Sequence, residues 1–514
     1  MFSKVKSCAV HGVDGRMIDV EADVNDGLPV FTMVGYLSSS VRESSERVRT
    51  ALKNSGFHLP PKRITINLSP ADMRKDGSGY DLAIATAVLL SLGVTAELPM
   101  EQTLVLGELS LDGSIKAIPG VLPMVICARE EGMTSCIVPK ENVQEAALVQ
   151  GISVIGVSSL KETMEYIQGI KEYENTNVEQ PAVDTSEYLY DIDFSDVVGQ
   201  ESIKRGMEIA AAGFHNVLLT GAAGAGKSML AKRLPTILPQ MSFEESLEVT
   251  KIYSVGGMLP PEGGLIHRRP FRAPHHTISE YALIGGGRVP TPGEVSFAHY
   301  GVLFLDELPE FSKPVLEALR QPLEDRRIRI SRVQASYEFP ADFMFVAAMN
   351  PCPCGNYPDY RRCSCTEQQI RRYQSKVSGP LLDRIDIRME VKGVKQEVLF
   401  SKQKTESSKT IRARVEQARQ MQKERFAGTG LLFNSQLDGK NLEEYITLSE
   451  EGKRLVLQLF EEQELSVRGV HRVLKLARTI ADLAGSEEIE HAHLQEAAFY
   501  RNQDVFAKGV LYGN

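Results

Sequence analysis

Apolar residues follow one rhythm in the first part of the chain and another in the last. Over residues 1–167, short apolar or alternating runs predict strands: IDVEADV at 18–24, FTMVGY at 31–36, RITINLS at 63–69, TLVLGELS at 103–110, CIVPK at 136–140 and ISVIGVSS at 152–159. Between them, VRESSERVRTALKNSG at 41–56 and YDLAIATAVLLSLG at 80–93 predict helices, so this part reads as an α/β domain of its own. Residues 168–190 are polar and acidic with few apolar positions, which predicts a linker. Strand, loop and helix patterns then alternate over 191–400, as in a doubly wound domain. Residues 401–514 are almost wholly helical in pattern, with TIRARVEQARQMQKERF at 410–426, a continuous run at 442–463, VRGVHRVLKLARTIADLAG at 467–485 and HLQEAAFYR at 493–501. The expected fold class is α/β with a helical C-terminal domain.

Two short segments of the middle domain carry chemistry. The apolar run Val217-Leu218-Leu219 leads into GAAGAGKS at 221–228, and a helical pattern follows. That context turns a G-x-x-x-x-G-K-[ST] match into a phosphate site. Gly221, Ala222, Ala223, Gly224, Ala225 and Gly226 form a loop whose N–H groups converge on phosphate oxygens, helped by the helix N-terminus that follows. Lys227 reaches the β- and γ-phosphates, and Ser228 suits a Mg²⁺ ligand. The second segment, VLFLDEL at 302–308, reads as a buried parallel strand with Asp306 and Glu307 at its C-terminal tip. Asp306 suits the Mg²⁺ shell and Glu307 the polarisation of an attacking water. A flexible glycine loop accounts for the first segment alone but not for the pair, so ATP hydrolysis is the expectation.

Composition narrows the setting. A chain of 514 residues is long enough for about three domains. No apolar run reaches the roughly 20 residues of a membrane span, and the N-terminus has no signal-peptide core. A cytoplasmic protein with no membrane partner is expected, its seven cysteines reduced unless they hold metal. The net charge of −9 excludes a wholly basic nucleic-acid binder, though not a ring that lines its pore with positive charge.

Further strings match a ring-forming AAA+ ATPase. FMFVAAMN at 343–350 ends in Asn350 where such enzymes have sensor 1, SGPLLDRIDI at 378–387 offers Arg384 as an arginine that faces a neighbour's nucleotide, and SVRGVHRVLKLARTIADL presents Arg468 where sensor 2 is expected. Together with RPFRAPHHTIS at 269–279, GEVSFAHYGVLFLDELPEF and NPCPCG at 350–355, they make the chain resemble the ComM/YifB family of magnesium-chelatase-like AAA+ proteins from residue 1 to about 505. The resemblance implies an AAA+ ATPase core at 191–400, a magnesium-chelatase-type helical lid at 401–514, ATP and Mg²⁺ as cofactors, and a homo-oligomer, in this family a hexamer. It implies a DNA motor of the helicase or branch-migration kind, acting on single-stranded or branched DNA during natural transformation. A chelatase-type or remodelling ATPase acting on a protein partner is the alternative.

In such a motor, pore hairpins would contact DNA. The candidates are Arg269, Arg272, His275 and His276 in RPFRAPHH, with Arg327 and Arg329 in RRIRISRV at 326–333, where charges alternate with isoleucines. A solvated hairpin face is the other reading of that alternation. Cys352, Cys354, Cys363 and Cys365 follow Asn350 as C-x-C-x₈-C-x-C, a possible Zn²⁺ quartet or four reduced thiols. KDGSGYDLAIA at 75–85 and GELSLDGSIKAIPGVLP at 107–123 resemble the proteolytic domain of Lon, an S5-like α+β fold, over residues 1–167. In that alignment Gly79 replaces the nucleophilic serine and Leu122 the activating lysine, so no protease activity is expected. Arg74 and Lys75 beside the loop read as DNA contacts or as a solvated pair.

Overall fold

Strict alternation shapes the strand Asp14–Asn25, where Ile18, Val20, Ala22 and Val24 turn inward and Asp19, Glu21 and Asp23 outward. A computed structural model describes residues 1–172, 190–260, 264–332, 335–393, 405–462 and 466–501. The N-terminal sheet contains Phe2–His11 (β1), Asp14–Asn25 (β2), Val30–Val34 (β3), Arg63–Ser69 (β4), Thr103–Val105 (β5), Ser135–Pro139 (β6) and Ser153–Val157 (β7). Its order is β3-β4-β2-β1-β5-β6-β7, with β2 antiparallel to both neighbours and the other pairs parallel. The apolar run 103–110 does not make one strand: Gly107, at φ 155, accepts from Leu82 N–H through its carbonyl and separates β5 from Glu108–Leu109. The helix Asp81–Ser91 lies inside this domain, buried at every position but Leu90, and its first-turn Asp81 takes a two-pronged bond from Arg47 at 2.8 and 3.1 Å.

The second sheet is parallel and is built from Val217–Thr220 (β8), Phe271–Arg272 (β9), Val302–Leu305 (β10), Met344–Met349 (β11) and Ile387–Glu390 (β12). The order is β9-β10-β11-β8-β12. Both faces are buried, as a continuous apolar strand requires. Val217, Leu219, Phe304, Val346 and Ile387 share one core with the lid residues Val415, Phe433, Leu476 and Leu494. Leu218, Leu305, Phe345 and Ala347 on the other face pack on Leu283, Val295 and Leu381. The predicted linker falls mostly outside the described residues, which resume at 190.

The lid comprises helices Ser408–Arg425, Gly439–Tyr445, Glu450–Glu462, Val467–Leu483 and His491–Arg501. The continuous helical pattern over 442–463 divides because the Ser449 hydroxyl accepts from Gly452 N–H at 3.1 Å and starts a second helix. Buried Asp386, just before β12, fastens the lid to the sheet. Asn216 N–H donates to it at 3.2 Å, Arg472 at 3.1 Å, and His215 Nδ1 lies 3.4 Å away. Burial alone would raise this carboxyl, but the His215 contact and the Arg472 charge hold it far below the ordinary 3.8. A depressed carboxyl stabilises the fold above its unfolded pKa and loses that contribution as pH falls through the folded one. Asp386→Asn leaves the half-buried Arg472 without its counter-charge and is expected to cost about 3 kcal/mol at neutral pH. Denaturation midpoints should show the gap to the parent chain narrowing below pH ~4.

The two sheets meet through the helices Val121–Glu130 and Phe243–Val255, where Gly120 N–H donates to the Ser254 carbonyl at 3.0 Å. The turn between β1 and β2 reaches the hairpin Arg327–Ser331/Ser336–Pro340, with His11 stacked on Tyr337 at 4.4 Å. No helix among the described residues is long and apolar enough to cross a membrane.

Candidate nucleotide site

Strand order decides what meets at the nucleotide site. Because β11 lies between β8 and β10, their C-terminal tips bring Gly221, Asn350 and Asp306 side by side. From β8 the chain enters Gly221–Gly226 and then the helix Lys227–Arg233. Ala222, Ala223 and Gly224 are exposed, Ala225 is buried, and Gly224 and Gly226 take φ of 77 and 94. Gly221 is needed for a different reason, since a Cβ there would fall 2.2 Å from the Val391 carbonyl oxygen.

Lys227 is buried, and its ammonium donates to the carbonyls of Gly221 (2.7 Å) and Ala222 (2.9 Å) and to Asn350 Oδ1 (3.0 Å). Burial draws its pKa below the usual lysine value, with Asp306 and Glu307 opposing. Ser228 Oγ donates to Asp306 Oδ2 at 2.6 Å. This adjacent hydroxyl and carboxylate are hard oxygen donors that fit Mg²⁺ bound together with substrate phosphates. Glu307 is exposed at the tip of β10 in the left-handed region, φ 53, and its N–H donates to Asp306 Oδ1 at 2.9 Å. His276 Nδ1 stands 3.8 Å from the Glu307 carboxylate, a pairing the sequence does not signal.

Arg384 and Arg468 lie elsewhere. Both approach Glu324, Arg468 at 3.8 Å, and both line a cleft of about 270 Å³ with Asn216, Asp342, Phe343 and Asp386. Those four residues precede β8, β11 and β12, so the cleft is at the opposite end of the sheet from the phosphate loop. The six residues of β11 span roughly 17 Å at 3.3 Å per step. Neither arginine stands beside its own chain's phosphate loop.

The basic candidates divide. Arg269 is a correction: only 6% exposed, it donates to the carbonyls of Pro239 (2.6 Å), Tyr300 (2.7 Å) and Gln240 (3.3 Å) and to Glu245 (3.0 Å). It braces the interior and has no donor fork left for DNA. Arg272 is half-buried in a two-pronged bond to Glu294, both distances 2.6 Å, which removes it from the surface set as well. His275 is exposed, with His276 against it at 4.0 Å. Arg327 and Arg329 project from the hairpin while Ile328 turns inward, and both lean on Glu338 at 3.1 and 2.8 Å. Exposed pairs of this kind contribute little, about 0–1 kcal/mol, and give way to a phosphate at small cost.

Around the Lon-like loop, a Cβ on Gly79 would come 3.1 Å from Ile118 Cδ1, and Leu122 is fully buried with its N–H given to Glu145 at 2.8 Å. Ser78 bonds to Glu108, while exposed Lys116 lies on a neighbouring strand. The Arg74–Lys75 pair is not a solvated one: Lys75 is completely buried and donates to the carbonyls of Pro70 and Met73, and Arg74 pairs with Asp76 at 2.9 Å.

Comparison with known proteins supplies the wider frame. The family described as "Magnesium chelatase, subunit ChlI" matches residues 193–399, "Subunit ChlI of Mg-chelatase" matches 20–142, and "Magnesium chelatase, subunit ChlI C-terminal" matches 405–501. Competence protein ComM of Haemophilus influenzae is 41% identical over 503 residues, 97% of each chain. YifB of Escherichia coli is 41% identical over 506 residues, 98% of this chain and 97% of its own. Lon protease 2 of Bacillus subtilis is 30% identical over 183 residues, 32% of each chain.

Proposed function

The chain belongs to the ComM/YifB family of magnesium-chelatase-like AAA+ ATPases, and from that premise we propose that it is a cytoplasmic, ring-forming motor that couples ATP hydrolysis to movement on DNA. The observation that carries the reading is the separation of one ATP site across two ends of the sheet. Phosphate loop and water-polarising carboxylate sit at one end, Arg384 and Arg468 at the other. A complete site then needs two copies, the second placing its cleft against the first one's loop, and a closed ring, in this family a hexamer, supplies that contact at every subunit.

Within the site, backbone N–H groups of 221–226 cradle the ATP phosphates, and Lys227 trades its carbonyl contacts for the β- and γ-oxygens. Ser228 and Asp306 would hold Mg²⁺, which would neutralise charge developing on the phosphates. Glu307 orients a water in line with the γ-phosphorus, and Asn350 fixes the Lys227 head from the neighbouring strand. The neighbour's Arg384 and Arg468 add charge on the leaving side. The proposed division is a platform at 1–167, a linker at 168–190, the ATPase core at 191–400 and the lid at 401–514. The platform keeps a Lon-like fold without peptidase function in this reading, since Gly79 and Leu122 stand at the positions of the nucleophile and the activating lysine.

DNA as the partner, branched or single-stranded as in natural transformation, draws support from the name of the Haemophilus relative and from the exposed pair Arg327 and Arg329. The steady-state ATPase rate with and without single-stranded, duplex and four-way-junction DNA tests it. Stimulation that weakens with rising salt is expected, and Arg327→Ala with Arg329→Ala should flatten the salt dependence by about one unit of slope per lost phosphate contact. The loss of Arg269 and Arg272 from the surface set favours the rival, an ATPase that remodels a protein partner. A rate indifferent to every DNA would select it.

A further inference from the structure

Cys352, Cys354, Cys363 and Cys365 are the one group of at least three metal-type ligands that converges among the described residues, with all four Sγ atoms within 4.8 Å of one another. Three of the separations are 3.4, 3.8 and 3.6 Å. Thiolates about 2.3 Å from a tetrahedral centre stand roughly 3.8 Å apart, so the three edges among Cys352, Cys354 and Cys363 already approach those of a filled site, with Cys365 Sγ inside the same 4.8 Å limit. A disulfide would draw two sulfurs to about 2.05 Å, and none is so close. The C-x-C spacing is no obstacle, because Cys352 and Cys354 Sγ already meet across Pro353. Hydrophobic packing does not explain the cluster either. Only Cys352 is fully buried, and three thiols gathered at a partly open surface gain little from burial. Tyr357 N–H points at Cys352 Sγ from 3.4 Å, the kind of hydrogen bond that steadies a metal-bound thiolate.

The same loop touches the nucleotide site. Asn350, two residues before Cys352, accepts from Lys227 at 3.0 Å. Gly355 faces the phosphate loop so closely that a Cβ on it would lie 3.4 Å from Ala223 N. Gln374 donates to the Pro351 carbonyl at 2.8 Å and holds the loop from behind.

We infer that the four cysteines bind one zinc-class cation in a closed tetrathiolate site, and that this metal clamps the loop 350–365 against the phosphate loop. The cation is structural, with no open position for water, and its cysteines position Asn350 without touching substrate. The proposal stands independently of DNA as the partner.

Metal analysis of the full chain, purified without chelator, is the test. About one zinc per chain is expected, with cobalt giving the visible bands of a tetrahedral tetrathiolate. Cys365→Ser, at a partly exposed position, should lose the metal and slow ATP turnover about ten-fold or more while nucleotide affinity holds. A far-UV circular dichroism spectrum like the parent's separates loss of the clamp from global unfolding. A metal-free parent chain, or metal retained after Cys365→Ser, overturns the site. Metal lost with turnover unchanged overturns the clamp.

Discussion

Glu307→Gln is expected to leave ATP affinity close to that of the parent chain and to slow turnover by at least about a hundred-fold. The side chain is exposed at the tip of β10, with His276 Nδ1 3.8 Å from its carboxylate. Its carboxylate therefore does little for the fold. Glutamine keeps the volume and tolerates the same left-handed backbone no worse, but loses the charge that polarises water. Affinity rests on the loop 221–228, which Glu307 does not touch. Fluorescent-nucleotide titration and single-turnover hydrolysis read the two effects separately. Lys227→Ala is the contrasting variant: it deletes the ammonium between loop and Asn350, and binding itself should disappear. Unimpaired turnover by the Glu307→Gln ring would move water activation to another residue.

Arg384→Ala should bind ATP and lose hydrolysis by about a thousand-fold, as removal of an arginine finger does. Mixing it with Lys227→Ala chains should restore part of that activity. In such mixed rings, an intact phosphate loop from one chain faces an intact arginine from the other. The expectation rests on the sheet geometry, since Arg384 sits at the ends of the strands remote from its own loop. Arg384 also bonds to the Arg320 and Pro380 carbonyls and to Glu324, so a thermal midpoint belongs beside the rate. Arg384→Lys keeps charge without the planar fork and should recover stability better than rate. Absence of recovery on mixing, with both variants folded and assembled, would place the arginine outside the active interface.

The helical and strand patterns were legible because burial repeats with the period of the element, as in β2 and in Val467–Leu483. The pattern was weaker where a single residue overrides it. Gly107 interrupts a strand through backbone bonds to the distant Gly79 and Leu82, and Ser449 divides a helix through one local hydrogen bond. The basic string RPFRAPHH was the least legible, because what holds Arg269 comes from Pro239, Gln240, Glu245 and Tyr300, up to 31 residues away.

By itself, then, the chain determined its phosphate loop. Gly224, Gly226, Lys227 and Ser228 lie within five consecutive positions, and the backbone they require is local. It also determined that Asp306 and Glu307 end a buried strand and that four thiols follow Asn350. Tertiary structure decided the rest: the insertion of β11 between β8 and β10, the placing of Arg384 and Arg468 together at the far end of the sheet, and the withdrawal of Arg269 into the interior. Those outcomes depend on which distant carbonyls and carboxylates an arginine meets once the core closes, and charge spacing along a chain carries no record of that.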